Sequence, residues 1–207
     1  NAQALGEFHF GAGRGCRPMV FLTVSTGVGG GIIINGQLYR GATGTAGEFG
    51  HMIVEASGET RCTCGNRGCL MSMASGLALS GAVQRGIGQL AKGGQSAELP
   101  DGCVDWDDLD GERLAAGYRA DNELCRQIIW EFGTYIGIGL YNVFQILNPQ
   151  RVVLGGGLLN LPDFFFDTVK TACYDRAASM MYDPLDICKG ELGGRAGILG
   201  AATLFEP

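Results

Sequence analysis

Charge is scarce in this chain. Asp, Glu, Lys and Arg make up 17% of its 207 residues, and 21 acidic side chains outnumber 15 basic ones for a net charge of −6. That balance argues against a nucleic-acid surface on these residues, because phosphate binding needs clustered Lys and Arg. Long hydrophobic runs are missing too. The most apolar helical stretch, Ile128 to Leu147, is broken by Glu131, Gln145 and several glycines. Nothing approaches the roughly 18 residues of a membrane span. No secretory signal peptide is visible either. The chain opens on Asn1 inside a helical stretch, NAQALGEF, and reads as a piece of something longer. Low charge does not mean disorder here, since 46% of the residues are hydrophobic. The length suits one globular unit with a substantial core, or two small ones.

Glycine and cysteine are what the chain has instead. Of eight cysteines, Cys62, Cys64 and Cys69 cluster, while Cys16, Cys103, Cys125, Cys173 and Cys188 are scattered through apolar or mixed sequence. Scattered free thiols behave as small buried hydrophobes in reduced proteins, so the expectation is a cytoplasmic location.

The periodicities give a coarse order. Met19 to Ser25 is a short run of β-formers, followed by the glycine cluster TGVGGG and then Ile32 to Asn35 and GQLY, which reads as a hairpin. His51 to Glu55 predicts a third strand. A helical pattern covers Cys69 to Lys92, and residues 93–123 are turn-rich and acidic, with Asp105 or Asp107 capping a short helix through Ala116. The longest signal is the stripe Leu124, Ile128, Phe132, Ile136, Leu140, Phe144 and Leu147, stopped by Asn148-Pro149. Gly133, Gly137 and Gly139 inside it each cost about 1 kcal/mol relative to Ala, which predicts another backbone or a ligand close by. A strand at Arg151 to Leu154, a helix from Asp163 to Met180, a strand near Leu185 to Cys188 and a helix from Arg195 to Leu204 follow. The order β-β-β-α-β-α-β-α predicts an α/β, ribonuclease-H-like lobe of the actin-like ATPase or hexokinase type.

Two glycine segments suit anions. Ser25 to Gly31 permits tight turning and close approach of backbone N–H groups. It is not a P-loop, since no Lys-Ser/Thr follows. It is not a dinucleotide fingerprint, since Gly27 and Gly29 lack a glycine at position 32 and a strand comes next. A hairpin without any ligand is the plain alternative. Gly155-Gly156-Gly157 sits at a strand-to-helix junction, where helix N-termini favour anions. Cys62-x-Cys64-x4-Cys69, with His51 upstream, has the composition of a closed Cys3His tetrahedral zinc site that would staple a loop. A disulfide is the alternative, though three cysteines leave one unpaired.

GATGTAGEFGHM followed by CTCGNRGCL, with STGVGGGII before and NPQRVVLGGG and LGGRAGILGAA after, resembles the ROK family of sugar kinases and sugar-responsive repressors. The resemblance runs from Asn1 to about Leu204 and is weakest over 90–123. It implies that Glu48 and His51 bind sugar hydroxyls, and that His51, Cys62, Cys64 and Cys69 hold a structural Zn2+ in a loop spanning 51–69. It implies that Thr26, Gly27, Gly29 and Gly30 line the phosphates of ATP, with Mg2+, and that Gly155, Gly156 and Gly157 lie at the adenosine. Residues 1–207 would be a carboxy-terminal lobe. The amino-terminal lobe and the general-base Asp, two positions before Asn1, would precede it. A homodimer or homotetramer is implied as well. Met71 departs from the pattern, standing where the family usually has a sugar-binding Glu. Three functions follow: a hexose or N-acylhexosamine kinase; the sugar-sensing half of a repressor whose DNA-binding domain lies upstream; or a degenerate binding protein.

Overall fold

The structure, a computed structural model, describes residues 1–177 and 186–205. Its centre is a five-stranded mixed sheet in the order β3-β2-β1-β4-β5. Strand β1 (Met19–Val24) pairs antiparallel with β2 (Val28–Ile34), which pairs with β3 (Gln37–Tyr39); on its other side β1 runs parallel to β4 (Arg151–Gly155), and β4 to β5 (Ile187–Lys189). Strands covered on both faces need no hydrophobic alternation. Accordingly Val20, Leu22 and Val24 of β1 join the larger apolar cluster, and Met19 and Phe21 join a smaller one with Ala4, Leu5 and Phe8.

Helix α1 (Ala2–Phe10) covers the smaller face and crosses α7 (Ala196–Ala202) in backbone contact. A Cβ at Gly6 would overlap the Ala196 carbonyl, and one at Gly200 the Ala2 carbonyl. On the larger face lie α5 (Glu123–Leu147) and α6 (Asp163–Ala177). Asn122 caps α5 by accepting the Cys125 N–H at 3.0 Å, and Asn148 ends it in a left-handed conformation, φ 41°. Of the three helix glycines expected to mark a neighbouring backbone, Gly133 and Gly137 do so, whereas a Cβ on Gly139 would first meet the Leu70 and Met52 side chains. A Cβ on Gly133 would sit 2.8 Å from Thr168 Cβ, and one on Gly137 2.6 Å from Ala172 Cβ, both on α6.

Three expected elements differ. The third strand is Gln37–Tyr39 and not His51 to Glu55, where Phe49–His51 make a single 3-10 turn and the Val54 N–H turns aside to the Gly68 carbonyl at 2.9 Å. The helix expected over Cys69 to Lys92 breaks into α2 (Leu70–Met73), a 3-10 turn at Gly76–Ala78 and α3 (Leu79–Lys92). The break has a partner, because the Gly76 and Leu77 N–H groups donate to the Ser25 and Thr26 carbonyls at 2.8 and 3.0 Å. In the acidic stretch Asp105 caps only Trp106–Asp108, and Asp110 caps α4 (Gly111–Arg119), accepting the Arg113 N–H at 2.8 Å. The expected end of α6 at Met180, and Leu185, lie outside the described residues. Among the described residues no helix is long and apolar enough to cross a membrane.

Candidate functional site

The cysteine segment is a tight knuckle. Cys62 N–H donates to the Asn66 carbonyl and Gly65 N–H to the Cys62 carbonyl, at 2.8 and 3.0 Å. Gly65 and Gly68 take positive φ, 92° and 68°, and a Cβ at Gly68 would overlap the Glu55 carbonyl. This turn brings one ligand atom each from His51, Cys62, Cys64 and Cys69 within 4.8 Å of one another. His51 Nδ1 and Cys62 Sγ are 3.6 Å apart, as are the Cys64 and Cys69 sulfurs. Thiolates 2.3 Å from a tetrahedral ion would stand about 3.8 Å apart, so the donor set fits a metal in number, chemistry and spacing. Burial pushes the Cys69 thiol up to about 12, with Cys64 and Cys62 adding to the effect, whereas the Asn66 N–H draws Cys64 down. A cation is what would hold all these thiols ionised together.

The knuckle is tied into the core. Arg85 on α3 reaches Glu131 Oε1 on α5 with Nε at 2.8 Å and Nη2 at 2.5 Å, while its Nη1 donates to Thr60 Oγ1 at 3.3 Å. Burial raises the Glu131 pKa and the Arg85 guanidinium opposes that rise.

Both glycine segments meet at the end of β1. Ser25 to Gly27 close the β1–β2 hairpin, with the Ser25 N–H donating to the Gly27 carbonyl at 2.8 Å. Gly156, at φ 97°, passes so close to Val24 that a Cβ would overlap its carbonyl oxygen, and a Cβ on Gly157 would lie 3.4 Å from Ser25 Oγ. Beside this junction opens a cavity of about 600 Å3, within the range of small-molecule sites. Thr26 and Gly157 line it. Gly29 and Gly30 lie within β2, where a Cβ on Gly30 would strike Phe49, and Gly155 and Gly156 line a different cavity of about 240 Å3.

The larger cavity also recruits Asp110, Glu112, Ala115 and Arg119 from α4, in the acidic stretch to which the sequence assigns no role. The short helix expected through Ala116 is this one, but its cap is Asp110 and not Asp105 or Asp107. Gly76 joins them through the unexpected helix break.

Glu48 is exposed near the start of the chain. Its charge favours the protonated Asn1 amino group, against a larger opposing effect of burial. The Asn1 nitrogen is 3.5 Å from the Gly30 carbonyl. Glu48 and Asn1 therefore lie near each other beside Gly30 of β2, and His51 follows Glu48 by three residues. Met71 packs there too: a Cβ on Gly27 would lie 3.3 Å from its sulfur, and one on Gly50 3.4 Å from its Cβ.

The profile of the ROK family matches residues 1–207. A glucokinase of Halalkalibacterium halodurans is 31% identical over 209 residues, covering 100% of this chain and 61% of its own. A xylose repressor of Caldicellulosiruptor bescii is 32% identical, covering 99% of this chain and 50% of its own. Among solved structures, a ROK family glucokinase from Streptomyces griseus, in complex with glucose and AMPPNP, aligns with a TM-score of 0.82 at 31% identity, over 99% of this chain and 65% of that one. The chain thus spans less than two thirds of the length of each. Its structural neighbours include ROK kinases of the actin-like ATPase fold.

Proposed function

The chain belongs to the ROK family, and from that premise we propose that the full-length protein transfers the γ-phosphoryl group of ATP to a hexose or N-acylhexosamine. This chain acts as its carboxy-terminal lobe. The observation that carries the reading is the meeting of two glycine segments at the end of β1, beside a cavity lined by Thr26, Gly157 and α4. Glycine turns of this kind suit phosphate oxygens, and the α4 wall suits a nucleoside. Glu48 and His51, in the turn that follows β3, would accept and donate hydrogen bonds to sugar hydroxyls. Positioning and electrostatics do most of the work in such a transfer. The general base would lie upstream of Asn1. His51, Cys62, Cys64 and Cys69 would hold zinc, which with four protein ligands would keep the His51 loop in place without an open position for catalysis. Two close relatives support opposite outcomes for the whole protein, being a glucokinase and a repressor.

Met71 favours a second reading, sugar sensing by a repressor. A thioether accepts hydrogen bonds weakly, so the sugar contact that the family makes with a carboxylate is absent at this position. The test is ADP formation by the full-length protein with ATP and a panel of hexoses and N-acylhexosamines. Turnover on any sugar is the expected result. Sugar binding without turnover, with either Met or Glu at position 71, would move the assignment to the repressor.

A further inference from the structure

Glu7, on α1, is a buried carboxylate, 1% exposed, that neither the metal group nor the nucleotide cavity uses. Its hydrogen-bond donors among the described residues are all backbone N–H groups. Oε2 accepts from Ala12 at 2.9 Å and Glu191 at 3.1 Å, and Oε1 accepts from Leu192 at 2.9 Å. Two glycines make room for it. A Cβ on Gly190 would come within 2.7 Å of Oε1, and one on Gly11 would overlap Oε2. A carboxylate held by several N–H groups makes charge-assisted bonds, roughly twice as strong as neutral ones.

The three donors come from two segments. Ala12 follows the end of α1, whereas Glu191 and Leu192 lie in the loop between β5 and α7. That loop is itself bound to β4, since the Gly190 N–H donates to the Leu154 carbonyl at 2.7 Å, one residue before Gly155. The cavity of about 240 Å3 lined by Gln3, Glu7, Gly155, Gly156 and Gly190 lies between α1 and the glycine segment. The carboxylate therefore ties them, alongside the apolar cluster that Ala4, Leu5 and Phe8 share with Phe21 and Val153. The far end of α1 lies against β2, where a Cβ on Gly31 would be 3.3 Å from Asn1 Cα, and where the Glu48 charge acts on the Asn1 amino group.

We propose that Glu7 is a positioning residue: its carboxylate holds the start of α1 and the Gly155–Gly157 segment in one fixed relation. Resting on the function proposed above, this means that the sugar side and the nucleotide side of the site are aligned through one buried side chain. Misalignment of reacting groups lowers turnover more than it weakens binding, because each partner still finds its own contacts.

Glu7→Gln in the full-length protein tests this. The amide has the same shape, but its NH2 must face at least one backbone N–H, leaving donors opposed. Hydrogen exchange at residues 1–6, Gly155–Gly157 and Gly190–Leu192 is expected to quicken about tenfold. Turnover is expected to fall about tenfold, with KM for sugar and ATP within about twofold. Val169→Ala, in the α5–α6 core, supplies a control of lowered stability that leaves both readouts at wild-type values. If Glu7→Gln does not fold, Glu7→Asp, which withdraws the carboxylate by one methylene, is measured in its place with the same expectation. Exchange at residues 1–6 and Gly155–Gly157 no faster than in Val169→Ala overturns the proposal, as does wild-type turnover. If the wild-type protein phosphorylates no sugar, the kinase reading fails on its own and exchange alone decides the role of Glu7.

Discussion

Arg85→Met removes one partner of a buried ion pair and leaves the other in place. Glu131 has a side chain only 9% exposed, and Arg85 supplies two short hydrogen bonds to one of its oxygens. Breaking a buried pair costs about 3–5 kcal/mol, and Arg85, a quarter exposed, belongs at the lower end, about 3 kcal/mol at pH 7. The pH dependence has a definite sign. Burial already raises the Glu131 pKa, so the folded state binds this proton more tightly than the unfolded chain does. Stability linked to such a carboxyl is full below its unfolded value and falls as pH climbs through the interval to its folded value. Arg85 is the group opposing that rise, so its loss widens the interval. The destabilisation is therefore larger at pH 7 than at pH 5, where the orphaned carboxyl more readily holds a proton. Urea unfolding at both pH values, with unchanged m, measures it. The double variant Arg85→Met with Glu131→Leu should return to within about 1 kcal/mol of wild type, because neither charge then needs solvation. A single-variant loss of the same size at both pH values, or a double variant no better than the single, would refute the reasoning.

Purified protein should carry about one zinc per chain by elemental analysis, and Cys69→Ser should lose it together with a melting point several degrees lower, since binding a closed metal site is linked to folding. Met71→Glu should tighten sugar binding by about 1.5–3 kcal/mol, the value of a hydrogen bond to a charged group, as read by titration calorimetry. Gly156→Ala should destabilise by at least about 1–3 kcal/mol from its φ of 97° alone, and more from overlap with the Val24 carbonyl. Nucleotide binding by equilibrium dialysis should fall with it, because the residue that gives way adjoins Gly157.

The strongest signals in the sequence were those of local repetition or composition. The stripe from Leu124 to Leu147 became α5 with its stop at Asn148, and the cysteine spacing with His51 became a group of converging ligand atoms. What was hidden depended on contacts between distant segments. His51 to Glu55 has strand-like composition, yet the knuckle claims the Val54 N–H first. The pattern from Cys69 to Lys92 is helical throughout, but a hairpin about 50 residues earlier takes the N–H groups at Gly76 and Leu77. Helix α4 joined the cavity without any periodic signal for ligand binding, since a cavity wall requires only that an element be placed beside it. Glu7 looked like an ordinary helix glutamate. Its burial comes from Glu191 and Leu192, almost the whole chain away.

Strand β1 takes its parallel partner, β4, about 130 residues later in the chain. At synthesis rates of about 5–20 residues per second, the ribosome leaves β1 with only its hairpin neighbours for roughly 7–26 seconds. The apolar row of Met19 to Val24 therefore has one open hydrogen-bonding edge throughout that interval, the kind of edge that templates aggregation. The cysteine knuckle and the long helix α5 are both made in the meantime. A nascent chain that gathers them against the hairpin shields the strand until β4 arrives. The same arrangement should make expression yield sensitive to translation speed, even for substitutions that leave the finished protein untouched.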